Sequence, residues 1–239
     1  MFASVTDVVS VQRIVMLSPM RIGTWNLDGR WGHEHRSFLD QQDCDVWLLT
    51  EVRVDVQLEG YRRVVTDARM SQGRHWSTIL SRGGLEMSDS PHPTTAAAVV
   101  GDTTYWSSVL PWRTCGNKEP WDGSTHADKM AAVLAKLEGA RPSGPLVWGG
   151  DWNQALTGAD YAGSANGQRH LLASIDRLEL SVPTAGLPHR IADHASIDHI
   201  AIPQSADAAH VQHIRAEFED KPLSDHDAYL LDINPEHRL

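Results

Sequence analysis

Short apolar runs that stop abruptly at polar residues set the pattern of this chain. Met20 to Asn26, Asp45 to Glu51, Leu146 to Gly150, Ile197 to Ile202 and Ala228 to Ile233 are too short for typical helices, and they predict buried strands that feed polar loops. Arg62 to Thr66, Trp76 to Ser81, Thr95 to Val100 and Thr103 to Leu110 predict further strands, the last two joined by a hairpin-like turn at Gly101-Asp102. Spacing near 3.6 residues predicts helices over His33 to Gln41, Ser124 to Leu137 and Asn166 to Leu178, with Ser124 as candidate cap of the second. Pro111 to Gly123 and Pro183 to Asp193 read as structured loops. Strands and helices mixed in this way predict an α/β fold, two sheets packed face to face with helices outside and the chemistry in loops at one end.

At 239 residues and 41% hydrophobic, the chain can bury one large core, expected over residues 20–239. Residues 1–19 form an expected N-terminal extension and a candidate for disorder, since Met16 and Met20 offer alternative starts. That extension lacks the features of a secretion signal, and no run approaches transmembrane length. Cys44 and Cys115 match no zinc or redox spacing, which points to a reducing, cytoplasmic compartment.

Charge changes the picture in two ways. Twenty-one Lys and Arg against thirty-one Asp and Glu leave a formal net charge of −10, which disfavours wrapping long duplex DNA. Acids gathered around a cation are counted in that total although the ion would cancel part of their field. From Arg53 to Arg82 the sign reverses, with Arg53, Arg62, Arg63, Arg69, Arg74 and Arg82 against Asp55, Glu59 and Asp67. Such a stretch is either a solvated face or a phosphate-facing one.

The chemistry sits where the strands end. In Trp25-Asn26-Leu27-Asp28-Gly29 an Asn and an Asp two apart point the same way and can share a cation or phosphate, although Asn-x-Asp-Gly is also ordinary turn chemistry. Glu51 closes an apolar strand and offers a hard oxygen to a divalent ion; a solvated strand-end acid is the alternative. In Gly149-Gly150-Asp151-Trp152-Asn153, Asp151 can orient or deprotonate a water and Asn153 can donate to a developing phosphorane oxygen. Ser196-Ile197-Asp198-His199-Ile200 and Leu223-Ser224-Asp225-His226-Asp227 supply imidazoles and carboxylates, and a carboxylate holds its imidazole in one tautomer.

Taken in order, these five motifs resemble the endonuclease/exonuclease/phosphatase superfamily, over roughly Met20 to Ile233. The resemblance implies a four-layer α/β sandwich of the DNase I-like kind and a phosphoesterase dependent on Mg²⁺ or Mn²⁺. By resemblance Glu51, Asp28, Asn26 and Asp225 correspond to metal-site residues, and Asp151 and Asn153 to the water-activating and phosphate-orienting pair. His226, steadied by Asp198, corresponds to the residue on the scissile phosphate, with Asn26 and Asn153 also facing substrate. His199 stands where the family often has an aromatic or aliphatic residue and is left out.

The chain departs from the family pattern before its central helix. Many relatives place a His or Tyr on the phosphate from there, whereas this chain reads Val109-Leu110-Pro111-Trp112-Arg113-Thr114. Arg113 is the expected substitute, since a guanidinium offers several donors, with a surface Arg on a Trp-rich loop as the alternative. The WNLDG form is especially like that of the apurinic endonuclease and exonuclease III branch, a resemblance that implies a nucleic-acid phosphodiester, and the sparse basic residues suit a short, single-stranded or nicked substrate better than a long duplex. Trp76, Trp106, Trp112 and Trp121 are candidates for stacking bases or for the core. A phosphatase or phosphodiesterase acting on a phosphorylated lipid, inositol or small molecule is the second reading, and a non-catalytic binding module on the same scaffold the third.

Overall fold

The computed structural model describes residues 19–158 and 161–234, so the extension expected at 1–19 lies outside the described residues except for Pro19. Fourteen strands follow in chain order. They are β1 (Met20–Asn26), β2 (Val46–Val52), β3 (Arg62–Val65), β4 (His75–Ser81), β5 (Glu86–Met87), β6 (Thr95–Val100), β7 (Thr103–Val109), β8 (Leu146–Asp151), β9 (Leu180–Ser181), β10 (Asp198–Pro203), β11 (Ala208–Ile214), β12 (Glu217–Phe218), β13 (Lys221–Pro222) and β14 (Ala228–Ile233). Three helices interleave with them: α1 (His33–Gln42), α2 (His126–Gly139) and α3 (Ala165–Arg177).

Two mixed six-stranded sheets result, one ordered β11-β14-β1-β2-β4-β3 and the other β5-β6-β7-β8-β10-β9. In each sheet one parallel pair is joined through a helix, β1 to β2 by α1 and β7 to β8 by α2, and the remaining pairs are antiparallel. Three apolar clusters make the layers. Ile22, Leu48, Ile79 and Leu231 of the first sheet meet Ala98, Tyr105, Val147 and Ile200 of the second in a central core. Phe38 and Leu39 of α1 cover Trp25, Trp47 and Leu49 on one outer face, while Met130, Val133 and Leu171 of α2 and α3 cover Trp106 and Trp148 on the other. This is the four-layer sandwich implied by the motif order. Among the described residues no helix is long and apolar enough to cross a membrane.

Details differ from the sequence reading for local reasons. The N-cap of α2 is Thr125, not Ser124: the Thr125 hydroxyl accepts from Asp128 N while the Asp128 carboxylate accepts from Thr125 N, a reciprocal capping box, and Ser124 donates to that same carboxylate. β11 escaped the periodic pattern because it is a sheet edge whose residues are half-buried or exposed, with no apolar alternation to read.

Candidate active site

The motifs converge where β1, β2 and β8 end and where β10 and β14 begin. β1 and β2 run parallel, pairing Asn26 with Thr50, so Asn26 and Glu51 leave the first sheet side by side. The loop after β1 is laced to the end of β2 by Leu27 N to Thr50 O at 3.0 Å and Gly29 N to Glu51 O at 2.9 Å. On the second sheet Asp151, at the end of β8, lies opposite Asp198, at the start of β10. The turn before β14 is tied to β1 by Ser224 Oγ donating to Asn26 O at 2.7 Å and by the Trp25 indole donating to His226 O at 3.1 Å.

The Asn26 amide is one of the links between the two sheets here. Asn26 Nδ2 donates to Asp151 Oδ2 at 2.9 Å and lies 3.3 Å from Glu51 Oε1, while its oxygen accepts from Asp28 N at 2.8 Å. Asn26 therefore presents its donor to the acids and uses its oxygen within its own loop. Asp28, Glu51 and Asn153 all have left-handed backbone, with φ of 48°, 51° and 50°. Asn and Asp tolerate that region, but for a Glu within a strand it costs about 1–2 kcal/mol, and strain of this kind gathers at functional sites.

Burial and neighbouring charge set the protonation of the inner groups. Asp151 is buried, and desolvation, then Asp198 and Glu51, push its carboxyl up to about 7 against the opposing pull of His226. Burial alone would lower the His226 pKa, but Asp198 Oδ2, accepting from Nδ1 at 2.7 Å, holds it well above the ordinary histidine value. Asp227, next in sequence, accepts from Arg190 at 2.6 Å and His213 at 2.8 Å, which clamps the turn from its other side.

The other expected site residues are placed as follows. Asn153 N donates to Asp151 Oδ1 at 2.9 Å, and its side-chain amide donates to Leu110 O at 3.1 Å. Asp225 is exposed and contributes to the field at His226. Arg113 is tied elsewhere: its backbone N donates to Ala162 O at 2.7 Å and its Nε to Gly163 O at 2.6 Å, so it anchors the 161–163 turn. His199 packs on Trp152 and bonds the Gln154 carbonyl at 3.0 Å, as a core residue does.

Of the two readings of the four tryptophans, stacking or core, the core one holds for three. Trp76, Trp106 and Trp121 are buried in the core under α2 and α3, and Trp112 packs edge-on against Trp121, so the first three present no free ring face. The basic stretch is also largely spent. Arg53 pairs with Asp55, Arg82 with Asp43, and Arg63 caps the carbonyls of Val54 and Val56.

Three neighbours of the site were not singled out from the sequence. Arg74 reaches Glu51 Oε2 at 3.2 Å and Asp28 Oδ1 at 3.6 Å. His189 faces His226 with ring centroids 5.9 Å apart, and Tyr161 lies against His189 at 5.3 Å. A nitrogen of His189, an oxygen of Asp198 and a nitrogen of His226 come within 4.8 Å of one another. They make a hydrogen-bonded group rather than a ready metal cradle: His189 Nδ1 accepts from Ile191 N at 2.8 Å, which leaves the proton on Nε2, and His226 Nδ1 donates to Asp198. Glu51 and Asp28 offer two hard oxygens that converge on one positive centre, the Arg74 guanidinium. That donor set fits Mg²⁺ or Mn²⁺.

No protein-family model matches this chain, and no curated protein matches it by sequence. Solved structures do match. The AP endonuclease LMAP from Leishmania major has a TM-score of 0.68 at 12% identity, covering 91% of this chain and 88% of its own. An AP endonuclease from Archaeoglobus fulgidus has 0.67 at 14%, covering 90% and 99%. The 3′ phosphatase NExo from Neisseria, bound to a product DNA hairpin, has 0.64 at 17%, again covering 90% and 99%. Likeness at such identities speaks to architecture, and the chain shares the DNase I-like fold of these solved structures.

Proposed function

With that fold as premise, we propose that this chain is a Mg²⁺- or Mn²⁺-dependent phosphoesterase that hydrolyses a phosphodiester in nucleic acid. The observation that carries the reading is the Asn26 amide between Glu51 and Asp151, which brings the rim acids of the first sheet together with the buried acids of the second, where His226 reaches across from the turn before β14. Solved proteins of the same fold act on DNA, by their descriptions as AP endonucleases and as a 3′ phosphatase on a DNA hairpin.

Each side chain has a task in in-line attack of water on phosphorus. Asp151, with a carboxyl near neutrality, takes the proton of the attacking water, and a base is most effective when its pKa lies close to the working pH. Asn153, through its backbone N–H, and Asn26, through its side chain, hold that carboxylate in place. His226, charged and oriented by Asp198, donates from Nε2 to a phosphate oxygen as negative charge grows there. Glu51 and Asp28, with Asp225 at the rim, would hold the ion, which supplies charge neutralisation at the phosphate and leaving oxygen.

The −10 net charge favours a second reading, hydrolysis of a small phosphorylated molecule, for which an acidic surface is no handicap. A panel separates the two: nicking of plasmid and of single-stranded and nicked oligonucleotides with Mg²⁺, beside phosphate release from inositol phosphates and choline release from sphingomyelin. Nucleic-acid cleavage that Asp151→Asn lowers by about a hundredfold or more supports the first reading. Turnover confined to the small substrates would replace it with the second.

A further inference from the structure

The acid cluster carries a cation of its own. Arg74 Nη1 lies 3.2 Å from Glu51 Oε2 and 3.6 Å from Asp28 Oδ1, and its Nη2 donates to Gln72 Oε1 at 2.9 Å. The side chain is 21% exposed, compared with 47% for Arg53 in its surface pair with Asp55. Arg74 lies over Gly29, where any Cβ would overlap its Nε and Cζ, and Gly29 has φ +63°. The guanidinium therefore lies directly over the turn of the Asn-x-Asp-Gly motif, beside the two acids it pairs with.

Electrostatics gives the arrangement a purpose. Glu51, Asp28 and the buried Asp151 repel one another, and a fixed guanidinium relieves the two outer carboxylates. A hard divalent ion prefers those same oxygens at shorter range than a guanidinium can approach. Both cations cannot hold them fully, and Gln72 already takes the other arm of Arg74.

We propose that Arg74 is a resident counter-ion of the candidate metal cluster: it neutralises Glu51 and Asp28 until a divalent cation displaces it, and so sets how tightly that cation binds. The proposal rests on the reading of Glu51 and Asp28 as a cation site. It makes Arg74 a positioning residue whose effect is read in metal affinity and in the stability of the protein without metal.

The test is calorimetric titration of the full chain with Mn²⁺, for wild type, Arg74→Gln, Arg74→Lys and Glu51→Gln, together with melting temperatures in EDTA. Removing one positive charge beside the cluster is expected to tighten Mn²⁺ binding by about tenfold in Arg74→Gln. That variant should also melt below wild type in EDTA and regain the difference with Mn²⁺. Arg74→Lys, whose compact ammonium cannot bridge both acids, should tighten binding by less, and it carries the test should Arg74→Gln not fold. Affinity equal to or weaker than wild type in the folded Arg74 variants, with wild type binding clearly and Glu51→Gln impaired, overturns the proposal alone. If wild type binds no Mn²⁺, or Glu51→Gln binds it unchanged, the cation-site reading falls and takes the counter-ion with it.

Discussion

The two halves of the candidate site are built on opposite physical plans. The half from the first sheet is open: the Glu51 and Asp28 side chains are 24% and 33% exposed and are met by an arginine. The half around the second sheet's acids is closed, with Asp151 and Asp198 almost fully buried and His226, reaching over from the turn before β14, locked to Asp198. Exchange of ligands suits the first, since an exposed carboxylate gives up one cation for another at little cost. Fixed charge suits the second, because a buried carboxylate and imidazole must satisfy each other or pay for their desolvation. The Asn26 amide joins the halves, with a donor to each.

Mutations on either side should therefore differ in kind as well as size. The largest effect is expected from Asp198→Ala, which leaves His226 buried without its carboxylate; stability should fall by about 3–5 kcal/mol, seen in urea unfolding, and added metal should not restore turnover. Loss confined to turnover, with unfolding unchanged, would remove the distinction drawn here. Glu51→Gln should be milder and conditional: cleavage lost at low Mn²⁺ and largely recovered as Mn²⁺ is raised, because the rim site is weakened rather than dismantled. A deficit that no Mn²⁺ concentration relieves would put Glu51 in the closed half. Smallest is Arg113→Ala, expected within about twofold of wild-type turnover, as for a surface side chain that anchors a loop. A hundredfold loss would return Arg113 to the phosphate.

Much of this was legible in the sequence because the same runs define both fold and site. An apolar strand that ends in Asn26, Glu51 or Asp151 announces its burial and its polar tip together. What stayed hidden depends on contacts between distant segments. Arg74 reads as one of several arginines until the chain turns and lays it over Gly29, beside Glu51 and Asp28. His189 and Tyr161 meet only because two loops fold over the His226 turn. The tryptophans stayed open between two readings for a related reason: on composition alone, a ring that closes a core under a helix looks the same as one awaiting a base.

Deep between the sheets, hydroxyls cross the apolar layer. Ser107 Oγ of β7 donates to Leu49 O of β2 at 3.0 Å, and Ser77 Oγ of β4 lies 2.6 Å from Ser107 O and accepts from Ala96 N of β6 at 2.8 Å. Oily side chains alone would let one sheet shear over the other with little penalty, because greasy contact has no direction. These serines act as dowels that resist the slip, so the relative placement of Glu51 and Asp151 is braced by joinery far beneath the site.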